Sequence, residues 1–140
     1  MSHPRRGILV VEDNPDHALL VRLAAERVDP SLDVRLCADG REAVDLLSGA
    51  PPYENRALHP LPDLVLLDLI MPKLDGFAFL DWVRKQPAFK RLPVVVLTSS
   101  ISPVDEARAL HLGASAFYTK PADLGELGEQ VRNIVKRWLA

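Results

Sequence analysis

Cysteine is nearly absent: Cys37 stands alone in 140 residues, so no internal disulfide can form and a reduced, cytoplasmic setting is expected. Neither sign of charge dominates. Seventeen Lys and Arg against nineteen Asp and Glu leave a net charge of −2. A nucleic-acid domain usually carries a basic excess, so no nucleic-acid partner is expected. Long apolar runs are missing too. Gly7-Ile8-Leu9-Val10-Val11 follows Arg5-Arg6 in the manner of a secretion signal, but Glu12 and Asp13 break the run at once. It is too short for a signal or a membrane span, so no membrane association is expected, and it reads as a buried strand. The four histidines, His3, His17, His59 and His111, show no paired metal-ligand spacing and read as surface or core residues. His17, one turn into the first helix, is the one placed to touch a partner.

What is present is alternation. Five short apolar runs, Ile8 to Val11, Val34 to Ala38, Leu64 to Leu67, Val94 to Leu97 and Ala116 to Tyr118, are separated by amphipathic stretches. Continuous apolar runs of this length suit strands covered on both faces. The helical stretches carry recognisable starts. Asn14-Pro15 pairs an N-cap with a proline at the first helical position and opens a helix to about Val28. Ser102-Pro103 repeats the device before Val104 to Leu112, and Gly113 supplies the stop. Asp75 caps a helix from Gly76 to about Gln86, ended by Pro87, and a last helix runs from about Ala122 to Leu139. The result is a (βα)₅ pattern over residues 1–140, read as one domain with a mainly parallel sheet and helices on both faces. Ala50 to Pro62, with Pro51, Pro52, Pro60 and Pro62, reads as a long solvent-exposed loop before the third strand.

In an open α/β sheet, ligands bind at the carboxyl ends of the strands, where strand order reverses. The first strand ends in Glu12-Asp13, the third in Asp68, the fourth in Thr98-Ser99 and the fifth in Lys120-Pro121. Taken singly, Glu12 and Asp13 are common turn residues, Thr98 is strand filler and Lys120 a solvated lysine. Asp68 is harder to dismiss, because an acid directly after Leu64-Val65-Leu66-Leu67 sits where burial is costly. Jointly they place three carboxylates, a hydroxyl and an ammonium on one rim. Clustered carboxylates repel unless a cation sits among them, and oxygen-only ligands suit a hard ion such as Mg²⁺. A carboxylate can also attack phosphorus to give an acyl phosphate, with a metal and a lysine neutralising the phosphoryl oxygens.

Glu12-Asp13, the segment Leu66-Leu67-Asp68-Leu69-Ile70-Met71-Pro72 with Asp75-Gly76, then Thr98 and Lys120-Pro121, together resemble the signature of CheY-like response-regulator receiver domains. The resemblance covers nearly the whole chain. Glu12-Asp13-Asn14-Pro15-Asp16 and the long loop before the third strand resemble most closely single-domain regulators that work with bacterial phytochrome kinases. The resemblance implies a flavodoxin-like, doubly wound parallel sheet of strand order 2-1-3-4-5. It implies Asp68 as phospho-acceptor, Asp13 as a direct Mg²⁺ ligand, Glu12 as a carboxylate acting through water, and Ile70 as a ligand through its backbone carbonyl. Lys120 matches the lysine that pairs with the phosphoryl group, with a cis bond to Pro121. Thr98 matches the switch hydroxyl and Phe117 the switch aromatic. Tyr118 and Trp138 lie on elements that receivers use for dimer contacts, although core packing is the reading preferred here.

The implied function is that of a two-component response regulator, a self-limited switch and not a turnover enzyme. It takes phosphoryl groups from a sensor histidine kinase, a bacteriophytochrome being the narrower expectation. Its implied output is a changed surface around the fourth helix, fifth strand and fifth helix. With nothing following Ala140, that output is expected to be a protein target, a histidine phosphotransfer protein or a homodimer. A phosphorelay shuttle and an unphosphorylated interaction domain stay open beside it. Two departures bear on phosphoryl lifetime: Ile70 carries no polar group to assist an attacking water, and Ser100 is small. A haloacid-dehalogenase-type hydrolase would need an aspartate where Ile70 stands, and a nucleotide-binding module would need glycines where Glu12-Asp13-Asn14-Pro15 stands.

Overall fold

The computed structural model describes residues 6–71, 73 and 75–139; His3, Arg5, Pro72 and Ala140 of the readings above lie outside them. Five strands and five helices alternate: β1 (Gly7–Val11), α1 (Pro15–Val28), β2 (Asp33–Cys37), α2 (Gly40–Ser48), β3 (Leu64–Leu67), α3 (Gly76–Lys85), β4 (Val94–Thr98), α4 (Pro103–His111), β5 (Ala116–Thr119) and α5 (Leu124–Trp138). The sheet is wholly parallel in the order β2-β1-β3-β4-β5, so the expected doubly wound, flavodoxin-like topology is the observed one.

Alternate side chains of the strands feed two separate cores. Leu9, Val11, Val65, Leu67, Val94 and Val96 face α2, α3 and α4, where they meet Leu46, Leu47, Phe79, Leu80, Val83 and Ala109. Ile8, Val10, Leu64, Leu66, Val95 and Leu97 face the opposite way, onto Val21 and Ala25 of α1 and Leu127, Val131, Ile134 and Val135 of α5. Burial on both faces is why the strands read as unbroken apolar runs and not as alternation.

Helix starts follow the side-chain caps. Asn14 accepts from the amides of Asp16 and His17, Asp75 from Ala78 and Ser102 from Asp105. The last helix begins at Leu124, later than expected, because Asp123 stays extended and caps it by accepting from the Glu126 amide. Pro87 ends α3 as expected but also opens a short 3₁₀ turn over Pro87–Phe89.

The segment after α2 is the long exposed loop expected before the third strand, and it is also anchored by side-chain hydrogen bonds. Gly49 turns left-handed (φ 79°) to close α2, and the Arg56 guanidinium then donates to the Leu46 and Leu47 carbonyls at 2.7 and 2.8 Å. Arg35 reaches from β2 to the Leu58 carbonyl at 2.6 Å, and the Tyr53 and His59 rings pack edge to face at 5.2 Å. Two half-buried guanidinium groups thus fasten a stretch whose prolines keep it out of the sheet.

Candidate functional site

The site forms where strand order reverses. β1 and β3 are neighbours that lead to helices on opposite faces, so the crevice beyond their carboxyl ends is left uncovered. The ladder continues one residue past each strand: the Glu12 amide donates to the Cys37 carbonyl at 2.9 Å and the Asp68 amide to the Val11 carbonyl at 3.0 Å. Both acids are therefore fixed by backbone pairing before their side chains act. The Lys120 amide likewise donates to the Thr98 carbonyl at 2.7 Å, continuing the β4–β5 ladder.

Asp68 is 8% exposed and its carboxylate is fully engaged. The Thr98 hydroxyl, itself buried, donates to Asp68 Oδ1 at 2.9 Å, and the Ile70 amide donates to the same oxygen at 3.2 Å. Lys120 Nζ donates to Asp68 Oδ2 at 3.2 Å and also contacts Glu12 Oε1. A buried carboxylate held by a hydroxyl, an amide and an ammonium has a fixed orientation as well as a compensated charge. Glu12 is 6% exposed. Burial, with the neighbouring Asp68 charge adding to it and the Lys120 hydrogen bond opposing it, pushes its carboxyl up to about 7.

Asp13 is exposed, next in the chain to buried Glu12. Oxygens of Glu12, Asp13 and Asp68 lie within 4.8 Å of one another. Oxygen donors alone, two of them buried and one open to solvent, fit a hard divalent cation that retains water ligands. They do not fit zinc or copper, which favour imidazole and thiolate.

The sequence-predicted residues thus converge, with particular local differences. The Lys120–Pro121 bond is not cis; among the described residues the one cis bond is Pro51–Pro52. The X–Pro preference is small enough for context to decide. Phe117 lies on β5 beside Val96, half-buried against the core that contains Phe79 and Met71. The Ile70 side chain is 63% exposed at the rim. Ser100 does not face open solvent with a free hydroxyl: its Oγ donates to Asp105 at 2.7 Å and accepts from the Ser102 amide at 3.2 Å, bracing the start of α4. One neighbour of the cluster was not among the expected site residues. His17 Nδ1 lies 3.2 Å from Lys120 Nζ. The only hint in the sequence is its position four residues after Asp13, one helical turn along.

The model of the response regulator receiver domain family matches residues 8–132. The chain is similar to Response regulator Rcp1 of Synechocystis sp., 35% identical over 138 residues that span 99% of this chain and 92% of that one. Among solved structures it is similar to the phosphorylated cyanobacterial phytochrome response regulator RcpA, with a TM-score of 0.92, 35% identity and coverage of 98% of this chain and 96% of that one. It is also similar to the Mn(2+)-bound form of Rcp1, with a TM-score of 0.88, 34% identity and coverage of 96% and 94%.

Proposed function

Because this chain belongs to the response regulator receiver domain family, we propose that it accepts a phosphoryl group on Asp68 from a sensor histidine kinase, with Mg²⁺ bound. The observation that carries this reading is the buried Asp68 carboxylate, engaged by Thr98 and Lys120 and sharing a 4.8 Å oxygen cluster with Glu12 and Asp13. Similarity to regulators described as Rcp1 and as the cyanobacterial phytochrome regulator RcpA supports a phytochrome-type kinase as the donor.

An Asp68 carboxylate oxygen attacks the phosphorus, forming an O–P bond, while the P–N bond of the donor phosphohistidine breaks and its electron pair returns to the imidazole. Asp13, Asp68 and the Ile70 backbone carbonyl would hold Mg²⁺, with Glu12 acting through water, and the ion would supply positive charge beside the phosphoryl oxygens. Lys120 Nζ, already on Asp68 Oδ2, moves its hydrogen bond to a phosphoryl oxygen. The Thr98 hydroxyl exchanges Asp68 Oδ1 for another of them, and the vacated space draws Phe117 inward by packing alone, since Phe117 has no hydroxyl. The chain acts as a switch that shifts between two surface states and not as a turnover enzyme.

The test is mass spectrometry after incubation with a small acyl-phosphate donor and Mg²⁺. One phosphoryl group is expected on the wild type and none on Asp68→Asn. An unmodified wild type, or equal labelling of both proteins, would overturn the assignment.

A further inference from the structure

Lys120 presents three ammonium protons and has no acceptor of its own. Its side chain is 6% exposed, so each proton needs a protein partner. Three lie within reach: Glu12, Asp68 Oδ2 at 3.2 Å and His17 Nδ1 at 3.2 Å. Two of these are carboxylates of the metal cluster and come from strand ends. The third is a ring nitrogen on α1, held where Asn14 caps the helix by accepting from the Asp16 and His17 amides. His17 Nδ1 also stands 3.9 Å from Glu12 Oε1, and its side chain is 31% exposed, so the ring bridges the site and the solvent-facing end of α1.

We propose that His17 is a positioning residue for phosphoryl transfer: its Nδ1 accepts the third proton of Lys120 and keeps the ammonium aimed at the acceptor. The proposal rests on the reading of Asp68 as phospho-acceptor. A cation held by Glu12 and Asp68 would share both carboxylate partners of Lys120. His17 then remains the one partner whose position does not depend on metal or phosphoryl occupancy. Accepting at Nδ1 requires the ring proton to sit on Nε2.

Two variants separate positioning from bulk. In His17→Asn, Oδ1 lies the same number of bonds from the backbone as Nδ1 and retains an acceptor. His17→Leu fills similar space without one. Phosphorylation by a small acyl-phosphate donor at saturating Mg²⁺, followed by mass spectrometry, is expected to slow about tenfold in the Leu variant at saturating donor and less than about twofold in the Asn variant, the scale of one hydrogen bond to a charged group. The donor concentration giving half-maximal rate is expected to stay unchanged in both, and the thermal midpoint to hold in the Asn variant and fall in the Leu variant, which leaves one Lys120 proton unpaired. Independently, long-range proton–nitrogen NMR of the wild type is expected to show His17 protonated at Nε2, with a Nδ1 resonance that moves in Lys120→Met. Equal rates in wild type and the Leu variant, equal slowing in both variants, or a Nδ1 resonance indifferent to Lys120→Met would overturn the role of His17 while leaving the acceptor standing. A wild type that takes no phosphoryl group would overturn the acceptor reading first and this role with it.

Discussion

Cys37 ends β2 at 1% exposure, and burial, with the charges of Glu42 and Asp39 adding to it, pushes its thiol up to about 12. Thiolate is the reactive form, so the folded protein is expected to resist iodoacetamide at pH 8.5 while the urea-unfolded chain is labelled. The linkage to stability follows from the same shift. The unfolded chain loses this proton near 9 and the folded one near 12, so the stabilisation is complete below 9 and falls as pH rises between the two values. The stability gap between wild type and Cys37→Ala, from urea curves at stepped pH, should therefore narrow above pH 9 by about 1.4 kcal/mol per unit. A gap that stays constant or widens would contradict the burial of this thiol. The residues of the metal-facing rim obey a different logic. Ile70 carries only hydrocarbon beside the acceptor, and the Ser100 hydroxyl is spent on Asp105. Neither orients water, so Ile70→Gln is expected to shorten the life of the aspartyl phosphate several-fold by supplying a hydrogen-bonding group, as read by phosphate release after removal of the donor. An unchanged lifetime would mean that metal and Lys120 alone set the hydrolysis rate.

Gly76 opens α3 against the floor of the site. A Cβ there would stand 2.5 Å from both the Asp68 carbonyl oxygen and the Leu69 Cα, which are backbone atoms with no rotamer to yield. The Gly76 amide also donates to the Leu69 carbonyl at 3.0 Å, which locks the approach. Gly76→Ala should therefore lower unfolding free energy by roughly 2 kcal/mol or more by urea denaturation, despite the better helix propensity of alanine. The neighbouring elements show what sequence reading can and cannot reach. Strand cores were legible because burial on both faces writes itself as unbroken Leu, Val and Ile. Helix starts were legible because Asn14, Asp75 and Ser102 cap by short-range side-chain geometry. The clamps were not. Arg56 reaches back 9 and 10 residues to α2 carbonyls, and Arg84 gathers carbonyls of Phe89, Leu92 and Gly113. A long flexible side chain seeking a distant carbonyl leaves no period in sequence, so the stretch from Ala50 to Pro62 read correctly as an exposed loop while its fastening stayed invisible. The Lys120 contact of His17 was not legible for the same reason: the two residues are 103 positions apart.

At the scale of the whole molecule, the two cores on either side of the sheet do unequal work at the rim. The α1–α5 core and the α2–α4 core are each closed, yet the crevice between β1 and β3 sets the charged side chains of Glu12, Asp68 and Lys120 among Val10, Val11, Val21, Leu66, Leu67 and Leu97. Two buried carboxylates and one ammonium leave the cluster with an excess of negative charge, and Asp13 adds to it from solvent. Repulsion of this kind is tolerated by a fold with thick cores, and it makes the native state the form that a divalent cation prefers, because the unfolded chain scatters the same oxygens. Divalent metal is therefore expected to raise the thermal midpoint, with a gain of about 2.7 kcal/mol at a concentration one hundred times the dissociation constant. Chelation should return the midpoint to its metal-free value. Asp13→Asn supplies the decisive contrast, because Asp13 is exposed and its replacement leaves both cores intact. Its metal-free midpoint should match or slightly exceed that of the wild type, since one repelling charge is gone, while the metal-induced rise should largely vanish. Equal rises in the two proteins would place the cation elsewhere on the molecule and separate the charge cluster at the sheet edge from metal binding.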